Sequence, residues 1–258
     1  MNQLPTFFGV INYEFRMQFR RRALWITFLC IALLFLIRGG IHFFLVFALS
    51  QPLLPLVANW ARSLNFLLPI VAGVLLADRL ARDRKTRVDE IFTSTPGALS
   101  VRLAGKYVGS TLATLLPIFL FYSIGVGSIL YQTHNVMTIP YALAAFATIS
   151  LPGILFVSAF SIACPFLLWV PLYQFLFVGY WFWGNAFTPA NGIPTLSATI
   201  LTPIGTYMVT GIFGVKEIPW VPQATLLEGV ASIALLLGIA VLVLYALWCY
   251  LRWQQARQ

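Results

Sequence analysis

Residues 139–186 read IPYALAAFATISLPGILFVSAFSIACPFLLWVPLYQFLFVGYWFWGNA, an apolar run without a single charged side chain. As one helix, at about 1.5 Å per residue, it would be about 72 Å long, more than twice a hydrocarbon core about 30 Å thick. The run must therefore fold back on itself. Cys164-Pro165 lies near its midpoint, with Pro152 and Pro171 on either side; proline removes a helix donor and collides with the preceding turn. A tight turn is expected there, between one span at 139–163 and another at 166–186. The turn carries no basic residue, so only the parity of the spans assigns it a side.

The flanking sequence is of the same kind. Residues 107–215 contain no Asp, Glu, Lys or Arg, and of all 258 residues only 9% are charged while 60% are hydrophobic and 16% aromatic. Soluble domains carry about 25% charged residues, so a water-soluble fold is excluded and the chain reads as an all-α membrane protein with one transmembrane domain, 1–258. Runs approaching the roughly 20 apolar residues a span needs also fall at 23–44, 55–77, 107–131 and 226–251, which makes six spans in all. The first follows a stretch containing Glu14 and has no small-residue cleavage site after it, so a retained span is expected and not a removed signal. Arg38, Arg62 and Glu228 are the only ionisable groups near membrane depth; all three lie toward span ends, where such side chains either serve function or anchor the helix. Between 187 and 225 stand Pro189, Pro194, Pro203, Pro219 and Pro222, yet the segment stays apolar around 196–201 and 207–215. An extracytoplasmic re-entrant region is expected, packed on the bundle or lining a cavity, where its backbone polar groups find partners.

A net charge of +9 is compatible with nucleic-acid binding, but its distribution points elsewhere. All basic residues except Arg38, Arg62 and Lys216 lie before the first span, between Arg79 and Lys106, or after the last span. With six spans this puts both termini and the 78–106 loop in the cytoplasm by the positive-inside rule. The partner surface is then the lipid bilayer of the plasma (inner) membrane, and no nucleic acid is expected. Cys30, Cys164 and Cys249 are odd in number and lie within apolar runs, so no disulfide is expected.

The 78–106 loop reads DRLARDRKTRVDEIFTSTPGALSVRLAGK. Asp78 with Arg82, Asp83 with Arg87, and Lys85 with Asp89 are four apart, each a helix-surface pair worth about 0.2–0.5 kcal/mol, so the second span is expected to continue into water as a helix. Val88, Ile91 and Phe92 then share one face just before the stop at Thr93-Ser94-Thr95-Pro96-Gly97. The pattern alone leaves two readings open: a solvated charged helix with an incidental apolar end, or a docking knob.

The basic run, Asp89-Glu90, two bulky apolar residues, Ser94-Thr95-Pro96, and Gly105-Lys106 at the next span together resemble the loop between spans two and three of ABC-2 type transporter permeases. The agreement extends along the chain to an N-terminal interfacial segment (1–22), six spans, short loops elsewhere and an apolar segment before the last span. The resemblance implies an exporter architecture of the type V kind and a coupling helix that docks on a separate ATP-binding subunit. Carried over by position, Val88, Asp89, Glu90, Ile91, Phe92, Thr93, Ser94, Thr95 and Pro96 become the candidate partner-binding residues. It also implies two ATP-binding subunits, which would hold the ATP and Mg, and a second permease protomer, identical or not. The family's interfacial helix corresponds to Phe7 through Arg22. Phe8, Ile11, Phe15 and Phe19 make one stripe there and Val10, Tyr13 and Met17 another, so a second docking surface and a basic tail on anionic lipid stay equally open.

Chemistry of the chain's own is not expected. Gly105-Lys106 is followed by Tyr107, not Ser or Thr, and Ser100 stands where a phosphate loop needs its first glycine. No zinc-binding His-Glu-x-x-His helix occurs, His42 and His134 stand alone, and no catalytic residue, resident cofactor or metal site is proposed. Trp169, Tyr173, Phe177 and Trp181 recur every fourth residue; they suit either a wall of a substrate path or packing in the bundle and against lipid. The expected function is that of a permease subunit exporting an unidentified substrate under power from a partner ATPase. The alternative is a non-transporting scaffold or sensor that recruits a soluble partner through its cytoplasmic loop.

Overall fold

A computed structural model describes residues 3–35, 37, 52–79, 82, 98–187, 192, 194–216 and 223–257. The chain is all-helical, with no strand among the described residues. In order the helices are α1 (Leu4–Phe19), α2 (Arg22–Phe35), α3 (Leu53–Leu76), α4 (Leu99–Thr133), α5 (Thr138–Phe166), α6 (Val170–Asn185), α7 (Thr206–Gly211) and α8 (Leu226–Gln255). Four of them, α3, α4, α5 and α8, are long and apolar enough to cross a membrane. The apolar α2 is shorter, and the remainder of the first expected span lies, apart from Ile37, outside the described residues. With 16 residues, α6 is about 24 Å long, under the length of the span expected at 166–186. Leu167 to Trp169 at that segment's start are spent on the reversal instead.

Helix α3 is the central post, touching α2, α4, α5, α6 and α7. Its residues Leu56 to Ala61 are all buried, which no helix facing lipid on one side could achieve. On one side the ring of Trp60 lies so close over Gly125 of α4 that a Cβ there would stand 2.2 Å from it. The indole donates to the Tyr122 carbonyl at 3.1 Å, and the Tyr122 hydroxyl donates to the Ala142 carbonyl of α5 at 2.9 Å. Two amphipathic aromatics thus tie three helices while satisfying their own polar atoms. On another side Asn65, 2% exposed, donates to the carbonyls of Ile149 at 3.2 Å, Pro203 at 2.8 Å and Ile204 at 3.1 Å.

Helix α5 is locally widened to a π turn at Phe146–Ser150. Pro152 follows directly; it cannot donate to the carbonyl four residues back and its ring crowds that turn, so a wider turn relieves the clash. The helix ends in a tight 3-10 turn, Cys164–Phe166, and after three intervening residues α6 starts at Val170 with Pro171 in its first turn. A hydrogen bond of 2.9 Å between Ser161 and Tyr173 joins the two arms of this fold-back.

The segment before α8 is packed inside the bundle. Thr202 to Val209 are buried, and Gly205, with φ of +89°, passes so close to Ile149 that a Cβ would stand 2.7 Å from its Cγ2. The Ser232 hydroxyl of α8 donates to the Ile200 carbonyl at 2.6 Å, and Tyr207 to that of Ala198 at 2.7 Å, so irregular backbone finds its partners within the protein. Glu228 closes a capping box with Thr225 at the start of α8, a structural use of one of the ionisable residues near membrane depth.

Two glycines of α4 separate close approach from mere flexibility. Gly125→Ala is expected to lower the thermal unfolding midpoint of the detergent-purified protein, at an overpacking cost of about 1–3 kcal/mol. Gly127→Ala, which meets nothing within 4 Å, should leave it unchanged or raise it.

Candidate functional site

The 78–106 loop begins where α3 ends. Its residues from Leu99 onward belong to α4, which at 35 residues is about 52 Å long and overshoots the hydrocarbon core. Hydropathy placed the start of that span at Tyr107 because Arg102 and Lys106 end the apolar run, but Leu103 is buried against Leu76 and Ile162, so the helix continues beyond the greasy stretch. The candidate docking residues Val88, Asp89, Glu90, Ile91, Phe92, Thr93, Ser94, Thr95 and Pro96 lie outside the described residues. Both ends of the loop are described, and α1 holds them.

Helix α1 runs alongside the first turns of α4 in the same direction. A Cβ on Gly105 would stand 2.9 Å from Val10 Cγ1; one on Gly109 would stand 2.7 Å from the Ile11 carbonyl oxygen and 2.9 Å from Glu14 Cβ. Glycines four apart make a groove in which a second helix seats backbone to backbone. At the bottom of that contact, Glu14 (1% exposed) is paired with Arg79 (2% exposed), just past the end of α3. Seven residues further along, just past the end of α1, Arg21 reaches Asp78 at 3.3 Å in a half-exposed pair, of the kind worth about 0–1 kcal/mol. At the other end of α1 the Gln3 side chain accepts from the backbone N–H of Ala98 at 3.3 Å, where the loop returns. A single helix therefore straps the exit and the re-entry of the loop.

Helix α1 is not buried along either of its two apolar stripes. Phe8 and Tyr13 are exposed, whereas Glu14 and Gln18 are the residues fully enclosed. Neither Glu14 nor Arg79 was singled out from the sequence for this role. The available signals were an acid isolated among arginines before the first span, and the glycine pair at 105 and 109.

The aromatic ladder of α6 divides. Trp181 is fully buried and its indole donates to the Phe66 carbonyl at 2.8 Å; the Phe177 ring fills the space over Gly73; Tyr173 bonds Ser161. Those three pack on α3 and α5 of this chain, while Trp169 is 74% exposed at the turn. All three cysteines are free thiols.

No family model matches the sequence, and no curated protein matches it.

The buried pair can be tested by a cycle of substitutions. Glu14→Leu or Arg79→Met alone strands a buried charge and should cost about 3–5 kcal/mol, read as a lowered unfolding midpoint. The double variant should recover most of that loss, because an apolar pair of similar volume removes both charges together.

Proposed function

We propose that the chain is the permease subunit of an ATP-binding cassette exporter, resembling the ABC-2 permeases. In this reading it works in the plasma (inner) membrane as a pair of protomers with two separate ATP-binding subunits. It has six spans, α2 and α6 completing the set with α3, α4, α5 and α8, and both termini are cytoplasmic. The observation that carries the reading is the strap: α1 grips the 78–106 loop where it leaves α3, through Glu14 and Arg79, and where it enters α4, through Gln3 and Ala98. A loop so held transmits a push to two long helices at once, whereas a freely hinged loop would absorb it.

The mechanism is mechanical. Closure of the ATPase pair presses on residues 88–96, and the strapped base passes the displacement into α3, the post on which α2, α4, α5 and α6 all lean. Such a step requires the partner to bind two states with different affinity, which apolar area flanked by charge supplies. ATP and Mg belong to the partner, and the chain contributes docking and motion.

Co-purification in detergent followed by an ATPase assay tests the assembly; capture of a partner without nucleotide hydrolysis would favour the scaffold reading. In the assembled complex, Phe92→Asp or Glu90→Arg is expected to abolish transport while leaving membrane insertion intact. Wild-type transport by both variants would remove the site.

A further inference from the structure

Helix α8 outlasts the hydrocarbon core. Its 30 residues extend about 45 Å, against a core about 30 Å thick, so at least one of its ends stands in the head-group layer. The contacts say which. Leu247 packs with Leu76, the last residue of α3, and with Leu103, which lies between Arg102 and Lys106 of α4. Charged residues begin at that level on both of those helices, at Asp78 and Lys106, and α8 follows with Arg252 and then Arg257, two residues past its end. The membrane surface passes there.

Aromatic rings lead up to both arginines. The Tyr245 and Trp248 rings are 5.5 Å apart centre to centre, and the Arg252 guanidinium lies 5.6 Å over the Trp248 ring. A second ladder starts at the end of α5, where Phe166 sets its ring edge-on to Tyr250 at 5.6 Å; Tyr250 and Trp253 are 6.0 Å apart, and the Arg257 guanidinium lies 3.7 Å over Trp253. Each cation is within cation–π range of a ring four residues behind it. A guanidinium on a ring face keeps its edge donors for an oxyanion, and Arg252, Trp253 and Arg257 are all exposed, so a ligand reaches them from outside the bundle.

Charge says what kind of ligand fits. From 229 to 258 the sequence holds these two cations and no acid. A helix C-terminus gains from one cation in its last turn, and Arg252 supplies it; Arg257, beyond the end, is more than that role requires. Next to Phe166 the α5–α6 turn exposes Leu167 and Trp169, an apolar surface beside the two ladders. We propose that the end of α8, with the α5–α6 turn beside it, is a binding surface for anionic phospholipid, on the side of the bundle from which the 78–106 loop leaves. Arg252 and Arg257 take phosphate oxygens, Trp248 and Trp253 lie at interfacial depth, and Leu167 and Trp169 meet the acyl chains. The surface goes beyond the transport reading and stands on the membrane-spanning helices alone: a scaffold would carry it too.

The test uses the full-length protein in detergent, with brominated phosphatidylglycerol and brominated phosphatidylcholine of identical acyl chains titrated against tryptophan fluorescence, and reads the ratio of the two midpoints. Wild type is expected to prefer phosphatidylglycerol about tenfold, and the double variant Arg252→Gln/Arg257→Gln to lose the preference. Lys216→Gln, whose carbonyl is held by Gln223 just before the opposite end of α8, should keep it. Trp253→Leu leaves both charges in place and should lower the preference about threefold; an unaltered ratio would overturn the part given to the ladder. A photoactivatable phosphatidylglycerol on the wild-type chain gives a readout independent of any variant, with cross-links expected within 166–169 or 245–257. Equal affinity for the two lipids, an unchanged preference in the double variant, release of the lipid by inorganic phosphate, or cross-links confined to 16–22 and 98–106 would overturn the proposal. So would self-association in lipid-free detergent that Trp253→Leu abolishes, which would give the surface to a second copy of the chain.

Discussion

A single carboxamide inside an otherwise greasy post holds the middle of this molecule together. With no water in a bilayer core, each backbone carbonyl outside a regular helix needs a donor from the protein, and an unsatisfied group costs several kcal/mol. The widened turn of α5 and the irregular chain around Pro203 present such carbonyls side by side, and Asn65 donates to both. The close seating of Gly153 under the Pro203 carbonyl depends on this: a Cβ there would stand 2.3 Å from that oxygen. Without an inward-facing donor on α3, neither the π turn nor the packed segment before α8 would be tolerated where they lie.

That dependence explains which features were legible in the sequence. Hydropathy locates apolar length, so the all-helical class, the long helices and the fold-back near Cys164-Pro165 follow from composition and proline placement alone. Hydropathy does not locate helix ends: α4 starts at Leu99 because Leu103 has core neighbours, a fact of tertiary contact. Nor does it show polar partners far apart in sequence. Asn65 reaches a carbonyl 138 residues away, and Glu14 a guanidinium 65 residues away. Arg79 looked like one more member of a basic loop until its neighbour was in view. The ladder at 169, 173, 177 and 181 carried a correct periodicity, but periodicity states that residues share a face and leaves open what the face meets.

The base of the bundle illustrates how charge settles an ambiguity that hydrophobicity leaves. Along α1 the apolar residues lie in two stripes, so burying either gains a similar amount and the helix has no preferred rotation from that source. A carboxylate removes the degeneracy. Glu14 cannot be enclosed unless Arg79 is opposite it, and the pair is reached only when Phe7, Val10 and Ile11 face the groove at Gly105 and Gly109. Replacing such a pair by apolar residues is often neutral or stabilising, so its contribution here is to orientation more than to stability.

Orientation is also what a lever requires. If α1 could rotate on α4, a displacement of the loop end at Arg79 would be lost as rolling of the helix and would never reach Ala98. Glycine backbones in contact at one point and a fixed ion pair at another allow translation of the whole unit but resist rotation within it. The half-exposed Arg21–Asp78 bridge adds little energy, yet it lies beyond Glu14 on the same side of the junction and so lengthens the grip. The contact between α5 and α8 beside that base is of another kind, apolar and aromatic, with Ile162 and Ala163 meeting Leu247 and the Phe166 ring set edge-on against Tyr250.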